Sequence, residues 1–261
     1  MMDFGECLRD WRQSRRLSQL ALASNAGISA RHLSFLETGR SQPSRGMILR
    51  ISQALELPAS GRNELLALAR FAPVPQSAAP GAGRDGEAFS VVELILDRHS
   101  PWPAVCLDAA YNIVKPNSGF ARLAAAFDLA PGSDFVSQIF TNGSLREAIM
   151  NWDDFARAFT RRLRSEARFL GPRSELARTL AALESMGLIE SQSERQAHDG
   201  PIAPYIPVSL ELGGLITSWI TTITTIGSAQ DAFLEGLFIE QYFPADDTTR
   251  QLADAMASGP S

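Results

Sequence analysis

The stretch of sequence that decides the fold runs from Leu17 to Arg40 and reads LSQLALASNAGISARHLSFLETGR. It contains two short segments with helical apolar spacing, and a serine stands directly before each of them, at Ser18 and Ser29. Serine is favoured before a helix because its hydroxyl accepts a hydrogen bond from a free backbone N–H. Gly27 follows the first segment, and glycine readily adopts the left-handed conformation that ends helices. The stretch therefore predicts two short helices joined by a tight turn.

Two helices joined in this way have the geometry of a helix-turn-helix. The first helix of such a unit lies across the DNA backbone, and the second lies in the major groove with its N-terminal residues at base edges. The second predicted helix exposes on one side Ala30, Arg31, Ser34 and Phe35. Arginine pairs bidentately with guanine, while alanine and phenylalanine pack on thymine methyl groups. The stretch therefore predicts a surface that reads DNA bases.

The residues on either side of this stretch complete an all-helical N-terminal domain of five helices, residues 1–72. Phe4, Leu8 and Trp11 recur at the i, i+4, i+7 spacing of an amphipathic first helix. Ser44 stands at the predicted start of the fourth helix. Four arginines of the first helix and its end are interpreted as a solvated face: Arg9, Arg12, Arg15 and Arg16.

The distribution of charge favours nucleic acid as the partner of this domain only. The whole chain of 261 residues has a net charge of −5. Residues 1–72 carry 10 arginines and 6 acidic residues, a net charge of +4, which leaves −9 for the remainder. A basic first part joined to an acidic second part is expected if only the first part meets phosphate. We therefore expect double-stranded operator DNA as the partner.

The segment from residue 17 to residue 55 also resembles the phage-repressor and xenobiotic-response-element family of regulators. The matching positions are Ser18-Gln19, Leu22-Ala23, Gly27-Ile28-Ser29, Leu36-Glu37, Gly39-Arg40, Pro43 and Ala54-Leu55. This resemblance implies that Gln19 and Ser29 contact phosphates or adjacent base edges, and that Arg40 and Arg45 bind backbone phosphates. The positions that it assigns to base reading are Ala30, Arg31, His32 and Phe35. The recognition helix begins with Ala-Arg here, whereas the family usually has a glutamine-rich start. Glu37 is interpreted as a structural residue.

The domain boundaries follow from a change in composition. One segment is rich in proline, glycine and serine, which interrupt helices and strands, and it has no apolar periodicity. This segment, Pro73–Glu87 (PVPQSAAPGAGRDGE), is interpreted as a linker. Residues 88–250 form the second predicted domain. The tail, residues 251–261, ends in small breakers and is expected to be disordered.

The second predicted domain mixes strands and helices. Trp102–Asp108 and Tyr111–Lys115 alternate like the arms of a β-hairpin, and three segments rich in threonine, isoleucine and aromatics follow a helical block near the end of the chain. Five strands and a helical block predict an α+β domain in which helices cover one face of an antiparallel sheet. This arrangement is similar to a PAS-type sensor.

The same region resembles the ligand-binding domain of MmyB-like regulators. The resemblance rests on the hairpin Pro103–Asp108 with Asn117 after it, the helix start Asn151-Trp-Asp, and the final segment Ile223–Arg250. It implies a small, largely apolar or fatty-acid-like ligand held between helices and sheet. The candidate ligand contacts are Phe120, Phe155, Phe159 and Trp219, although the sequence favours an ordinary core role for Phe155, Phe159 and Trp219. The His-Pro that commonly precedes a late strand in relatives is Ile206-Pro207 here.

The sequence offers little for catalysis, cofactors or metals. The three histidines, His32, His99 and His198, have no ligand spacing such as HExxH, and neither Cys7 nor Cys106 belongs to a CxxC pair. We therefore expect no enzyme activity, no cofactor and no metal. The sequence has no apolar run of membrane-spanning length and no secretory signal, so we expect a cytoplasmic bacterial protein that does not enter a membrane.

These observations predict a sequence-specific DNA-binding transcriptional regulator, acting as a homodimer, whose C-terminal domain senses a small apolar ligand. One alternative is an antitoxin-like or partner-binding autoregulator, in which the C-terminal domain is a protein-interaction surface. Another is an enzyme under the control of a DNA-binding domain. A five-helix interaction module that binds no DNA is the structural alternative for residues 1–72.

Overall fold

The computed structural model of the protein describes residues 3–74, 82–129, 132–190, 205–225 and 236–257, with the backbone alone at residues 82–88 and 256–257. The chain divides into two compact units. The first unit comprises residues 1–79 and 165–177, and the second comprises residues 80–164 and 178–261.

The N-terminal part of the first unit contains the five predicted helices. They are α1 (Phe4–Ser14), α2 (Gln19–Asn25), α3 (Ala30–Glu37), α4 (Arg45–Ala54) and α5 (Ala59–Leu68). The predicted serine caps are confirmed, because the hydroxyls of Ser18, Ser29 and Ser44 accept the N–H groups of the residues three positions later. Each cap satisfies a backbone donor that would have no partner inside its helix.

The core of these helices includes the apolar stripe predicted for α1. Phe4, Leu8 and Trp11 are buried in one cluster with residues of the other helices. Gly5 brings α1 unusually close to the end of α3, because a Cβ atom at this position would lie 2.7 Å from the carbonyl oxygens of Leu36 and Glu37. This close approach places polar side chains of α1 against the carboxylate of Glu37.

The rest of the described chain supplies seven helices and five strands. The helices are α6 (Ala82–His99), α7 (Ser118–Ala126), α8 (Phe135–Thr141), α9 (Gly143–Ala148), α10 (Trp152–Leu170), α11 (Glu175–Ser185) and α12 (Asp247–Ala257). The strands are β1 (Ala104–Asp108), β2 (Ile113–Pro116), β3 (Ile206–Leu212), β4 (Leu215–Thr225) and β5 (Leu237–Pro244). They form one antiparallel sheet in the order β2-β1-β5-β4-β3, which confirms the predicted α+β fold class. The helix start at Asn151-Trp-Asp agrees with α10, which begins at Trp152.

Helices cover both faces of this sheet, so the prediction of a single covered face is wrong. Ile239 of β5 packs with Val92 and Leu96 of α6. The next residue, Glu240, points to the opposite face, because successive strand residues alternate. There it accepts a hydrogen bond from Arg162 of α10, with an N–O distance of 3.2 Å.

Two predicted boundaries also need correction. The predicted linker Pro73–Glu87 is wrong from residue 82 onward, where α6 begins; residues 75–81 lie outside the described residues. The predicted disordered tail is wrong for residues 251–257, which belong to α12, while residues 258–261 lie outside the described residues. Tertiary contacts explain both differences: buried Val92 anchors α6 to the sheet, and the Thr249 hydroxyl of α12 accepts the N–H of Ser218 at 2.8 Å. No helix in the described ranges is long and apolar enough to cross a membrane.

Candidate nucleic-acid interface and ligand cavity

The turn between α2 and α3 has the predicted geometry. Gly27 adopts a φ of +65°, and the N–H of Ile28 then donates to the carbonyl of Ala23 at 2.9 Å. The Ile28 side chain is half-buried and packs against the helical core. The turn therefore fixes the direction in which α3 leaves α2.

A buried carboxylate holds α1, α2 and α3 together. Glu37 accepts two hydrogen bonds from the Arg12 guanidinium, at 2.6 and 3.0 Å. Its Oε2 atom also accepts the side-chain amide of Gln19 at 2.8 Å, and its backbone carbonyl accepts the Arg9 guanidinium at 3.0 Å. The interpretation of Glu37 as structural agrees with these contacts.

The predicted solvated face of α1 is therefore wrong for Arg9, Arg12 and Arg15, each of which donates to an acceptor on or at the end of another helix. Arg12 is bonded to Glu37, and the Nε of Arg15 donates to the carbonyl of Leu55 at the end of α4, at 2.9 Å. The spacing of these arginines in the sequence is typical of a solvent-exposed helix face. Their long side chains nevertheless reach acceptors on other helices.

Three of the residues predicted to contact DNA are bonded inside the domain. Gln19 donates its amide to Glu37, which leaves its carbonyl oxygen as the free acceptor. The His32 ring lies with Nε2 3.2 Å from the sulfur of Met47 on α4. Ser29 accepts the N–H of His32 as the cap of α3. The sequence could not show the contacts of Gln19 and His32, because Glu37 and Met47 lie on other helices, whereas the Ser29 cap was predicted.

The outer side of α3 presents a small set of groups to solvent. Arg31 is exposed, and Ala30 and Phe35 are half-exposed. The guanidinium carbon of Arg31 lies 5.3 Å from the centre of the Phe35 ring, one helical turn away. The predicted reading surface is thus brought together on one side of one helix.

The exposed charges of the helix-turn-helix segment are basic. Residues 17–55 contain four arginines, Arg31, Arg40, Arg45 and Arg50, and all four are exposed. Glu37 is the only acidic residue in the same segment, and it is buried and paired with Arg12. Arg45 is the first residue of α4. The exposed charge of this segment is therefore entirely positive.

The second unit contains an apolar cavity of about 240 Å³. Its walls come from the segment Pro101–Pro103, α7, the β3–β4 hairpin, β5 and α12. The predicted contact Trp219 lines it, and the Trp219 indole donates at 2.9 Å to the Thr217 hydroxyl, which donates in turn to the carbonyl of Leu210 at 3.2 Å. These bonds fix the indole ring within the wall.

A smaller cavity of about 40 Å³ adjoins the larger one. It shares Leu123, Leu210 and Tyr242 with the larger cavity, and both Phe120 and Phe155 line it. The fourth predicted contact, Phe159, lines neither cavity. It stacks on Phe155 with ring centres 5.5 Å apart and belongs to the buried aromatic layer behind that residue.

Two family models match separate parts of the chain. The model of a helix-turn-helix domain matches residues 3–65, and the model of the MmyB-like transcription regulator ligand-binding domain matches residues 90–255, more than half of the chain. The chain belongs to the MmyB-like transcription regulators. Among solved structures, it is similar to the PAS domain of an HTR-like protein from Haloarcula marismortui, with 12% identity, a TM-score of 0.27, and coverage of 62% of this chain and 96% of that one. No curated protein matches the sequence.

Two polar residues of the cavity in this MmyB-like regulator were not among the predicted ligand contacts. Arg122 of α7 is the one charged residue among those that line the described cavity, and Tyr242 of β5 borders both cavities. Burial, and secondarily the Glu240 carboxylate, raises the pKa of the Tyr242 hydroxyl well above its ordinary value. Arg122 and Tyr242 are 120 positions apart, so no spacing in the sequence connects them. Only the tertiary structure shows that both line the same cavity.

The regulator's cysteines are poorly suited to nucleophilic chemistry. Burial raises the pKa of Cys7 to about 12 and that of Cys106 to about 11, so both thiols stay protonated near neutral pH. Across the described ranges, no three histidine, cysteine, aspartate or glutamate side chains come together as metal ligands.

Proposed function

We propose that this MmyB-like regulator binds a specific operator sequence as a homodimer, and that a small, largely apolar ligand in its second unit changes its affinity for that operator. The observation that carries the DNA part is the wholly positive exposed charge of residues 17–55 around α3. Electrostatic contact with phosphate supplies most of non-specific DNA binding, and base contacts in the major groove add specificity.

We assign the phosphate contacts to Arg40 and Arg45, together with the polar caps near the helix starts. Both arginines are exposed, and neither forms an ion pair within the described part of the chain. A cation at the first position of a helix is opposed by the helix dipole. A phosphate placed there removes the opposition, because it pairs with Arg45 and accepts the free N–H groups of α4.

We assign base contacts to α3. Arg31 reads guanine, and Ala30 and Phe35 lie beside it on the same side. His32 and Gln19 are secondary candidates, since their side chains already bond within the domain. A dimer is proposed because one helix-turn-helix buries little surface, and a two-fold pair reads half-sites about 34 Å apart.

The larger cavity supports an apolar ligand. At about 240 Å³ it exceeds the ~150 Å³ cavity that is known to hold benzene in another protein. Its walls are aliphatic and aromatic apart from Arg122, Thr217 and Tyr242, which suits a molecule with a long apolar part and one polar end. We assign ligand contacts to Trp219 in this cavity and to Phe120 and Phe155 in the adjoining one.

The test is selection of binding sites from random duplex DNA by the full-length protein, followed by titration of the selected operator with and without cell extract. Enrichment of a two-fold symmetric sequence and a shift of affinity by extract would support both parts. If no sequence is enriched, operator recognition fails. If an operator is selected but no extract shifts the affinity, and native mass spectrometry finds no bound small molecule, the ligand part fails. The second unit would then serve as a protein-interaction surface.

A further inference from the structure

The contact between Arg31 and Phe35 makes one unit out of two residues that the sequence presents separately. Their positions, i and i+4 on α3, lie on the same helix face. The guanidinium lies 5.3 Å from the ring centre, within the range of a cation–π interaction. Stacking of this kind limits the rotamers of an otherwise exposed side chain and leaves the edge of its planar fork free.

The surroundings leave Arg31 without another strong partner in residues 17–55. The only acidic residue there, Glu37, is buried and occupied by Arg12. The neighbouring His32 is turned toward Met47, and Ala30 is too small to cover the guanidinium. The ring of Phe35 is therefore the group on α3 that can hold the Arg31 fork in one direction.

We infer that Arg31 and Phe35 act as one guanine-reading unit, in which Arg31 contacts the base and Phe35 is a positioning residue. This inference rests on the proposed function. The guanidinium fork matches the O6 and N7 acceptors of guanine in the major groove. Because the ring of Phe35 stacks on the guanidinium, its contribution to binding passes through Arg31 and depends on the guanine.

The experiment uses full-length protein and the selected operator, in which each guanine in turn is replaced by 7-deazaguanine, a base without the N7 acceptor. The variants are Arg31→Ala, Phe35→Leu, Phe35→Tyr and the double variant Arg31→Ala/Phe35→Leu. Tyrosine keeps the aromatic ring and serves as the matched control, whereas leucine keeps only the apolar bulk. Random duplex DNA reports the part of the affinity that does not depend on sequence.

We expect Arg31→Ala to weaken operator binding about 5–150-fold, as loss of a bidentate guanine contact does. Phe35→Leu should weaken operator binding about 2–5-fold, the range for an exposed cation–π contact. Phe35→Tyr keeps the ring and should bind the operator like the wild-type protein. One guanine per half-site should lose affinity on 7-deaza substitution with wild-type protein but not with Arg31→Ala. In the Arg31→Ala background, Phe35→Leu should cause no further loss of operator affinity. In the wild-type background it should leave the affinity for random DNA unchanged.

Two results would overturn the inference while leaving operator binding intact. One is an equal loss from Phe35→Leu with and without Arg31, which would make Phe35 a direct DNA contact, for example to a thymine methyl group. The other is insensitivity of the wild-type protein to 7-deaza substitution at every guanine. Failure to select any operator would instead refute the proposed function, and the inference with it.

Discussion

Arg12 of α1 and Glu37 of α3 form an ion pair with two hydrogen bonds in the interior of the N-terminal helical domain. The Arg12 Nε lies 2.6 Å from Oε1 of Glu37, and its Nη2 lies 3.0 Å from Oε2. The Glu37 side chain has no exposed area, and that of Arg12 is only 12% exposed. Because Gln19 bonds to the same carboxylate, the pair joins the three helices that place the reading surface.

Removal of one partner of this pair should destabilise the domain strongly. We expect Arg12→Ala to lower its free energy of unfolding by about 3–5 kcal/mol, since the buried Glu37 carboxylate would lose its compensating charge. Hydrogen exchange of the α1–α3 amides measures this domain separately from the rest of the chain. Arg9→Ala is the matched control, because Arg9 is 43% exposed and lies 3.8 Å from the carboxylate. Its loss should remain below about 1 kcal/mol; equal losses for both variants would contradict the prediction.

The phosphate contacts predict a particular dependence on salt. Arg40→Ala and Arg45→Ala should each weaken binding to operator and to random DNA by the same factor. Each should also make the slope of log K against log salt shallower by about 0.9, because one fewer counterion is released. Arg157→Ala is the control: it removes an exposed arginine that pairs with Asp154 on α10. An unchanged slope for either helix-turn-helix variant would show that its arginine faces only solvent.

Filling the larger cavity should block an apolar ligand. Ala253 is buried and lines this cavity, whereas Ala255 is exposed on the same helix, α12. We expect Ala253→Leu to weaken binding of an apolar fluorescent probe such as N-phenylnaphthylamine by about 2 kcal/mol, since three added carbons displace about three ligand carbons at ~0.8 kcal/mol each. Ala255→Leu should leave the titration unchanged. Equal probe binding by both variants would place the probe elsewhere.

His99 predicts a pH dependence of stability in the second unit. Burial lowers the pKa of His99 below its ordinary 6.5, against smaller opposing effects from the backbone carbonyls of Tyr242 and Pro103. Its Nε2 lies 3.0 Å from the Tyr242 carbonyl, and the Gln241 amide lies 3.3 Å from Nδ1, an arrangement that fits the neutral ring. Below pH 6.5 the unfolded chain then binds more protons than the folded one, so stability falls as the pH drops toward the lowered folded-state pKa.

The check is hydrogen exchange of the β1 and β5 amides between about pH 7.5 and pH 5.5, across the ordinary histidine pKa. We expect the opening free energy of these strands to fall with pH in the wild-type protein. His99→Gln cannot titrate in this range, so its curve should be flatter. A wild-type curve as flat as that of the variant would mean that His99 protonates equally in both states.

The sequence predicted those elements whose causes are local. Ser18, Ser29 and Ser44 each supply an acceptor to a nearby N–H group, and Gly27 supplies the turn conformation. These interactions span three or four residues and can therefore be recognised from spacing. The strands β1 and β2 were predicted for the same reason, since alternation along a short segment marks its two faces.

The α6 helix could not be predicted in this way. Its first part lies in a glycine-containing stretch that resembles a linker, and its stability depends on Val92 and Leu96 packing against Ile239 of β5. This contact joins residues more than 140 positions apart in the chain. Local composition therefore indicated a linker where tertiary burial produces a helix.

The features of the candidate sites also fall into two groups, those set by neighbouring residues and those set by tertiary contacts. The sequence by itself determined the helix-turn-helix, the basic character of residues 17–55 and the exposure of Arg31, because caps, turn glycine and charge are properties of neighbouring residues. Only the tertiary structure decided that Gln19 and His32 bond inward, that Phe159 lies behind the cavity wall, and that Tyr242 borders both cavities. The physical reason is that a side chain's partner is set by which helices and strands meet, and long-range packing controls that meeting.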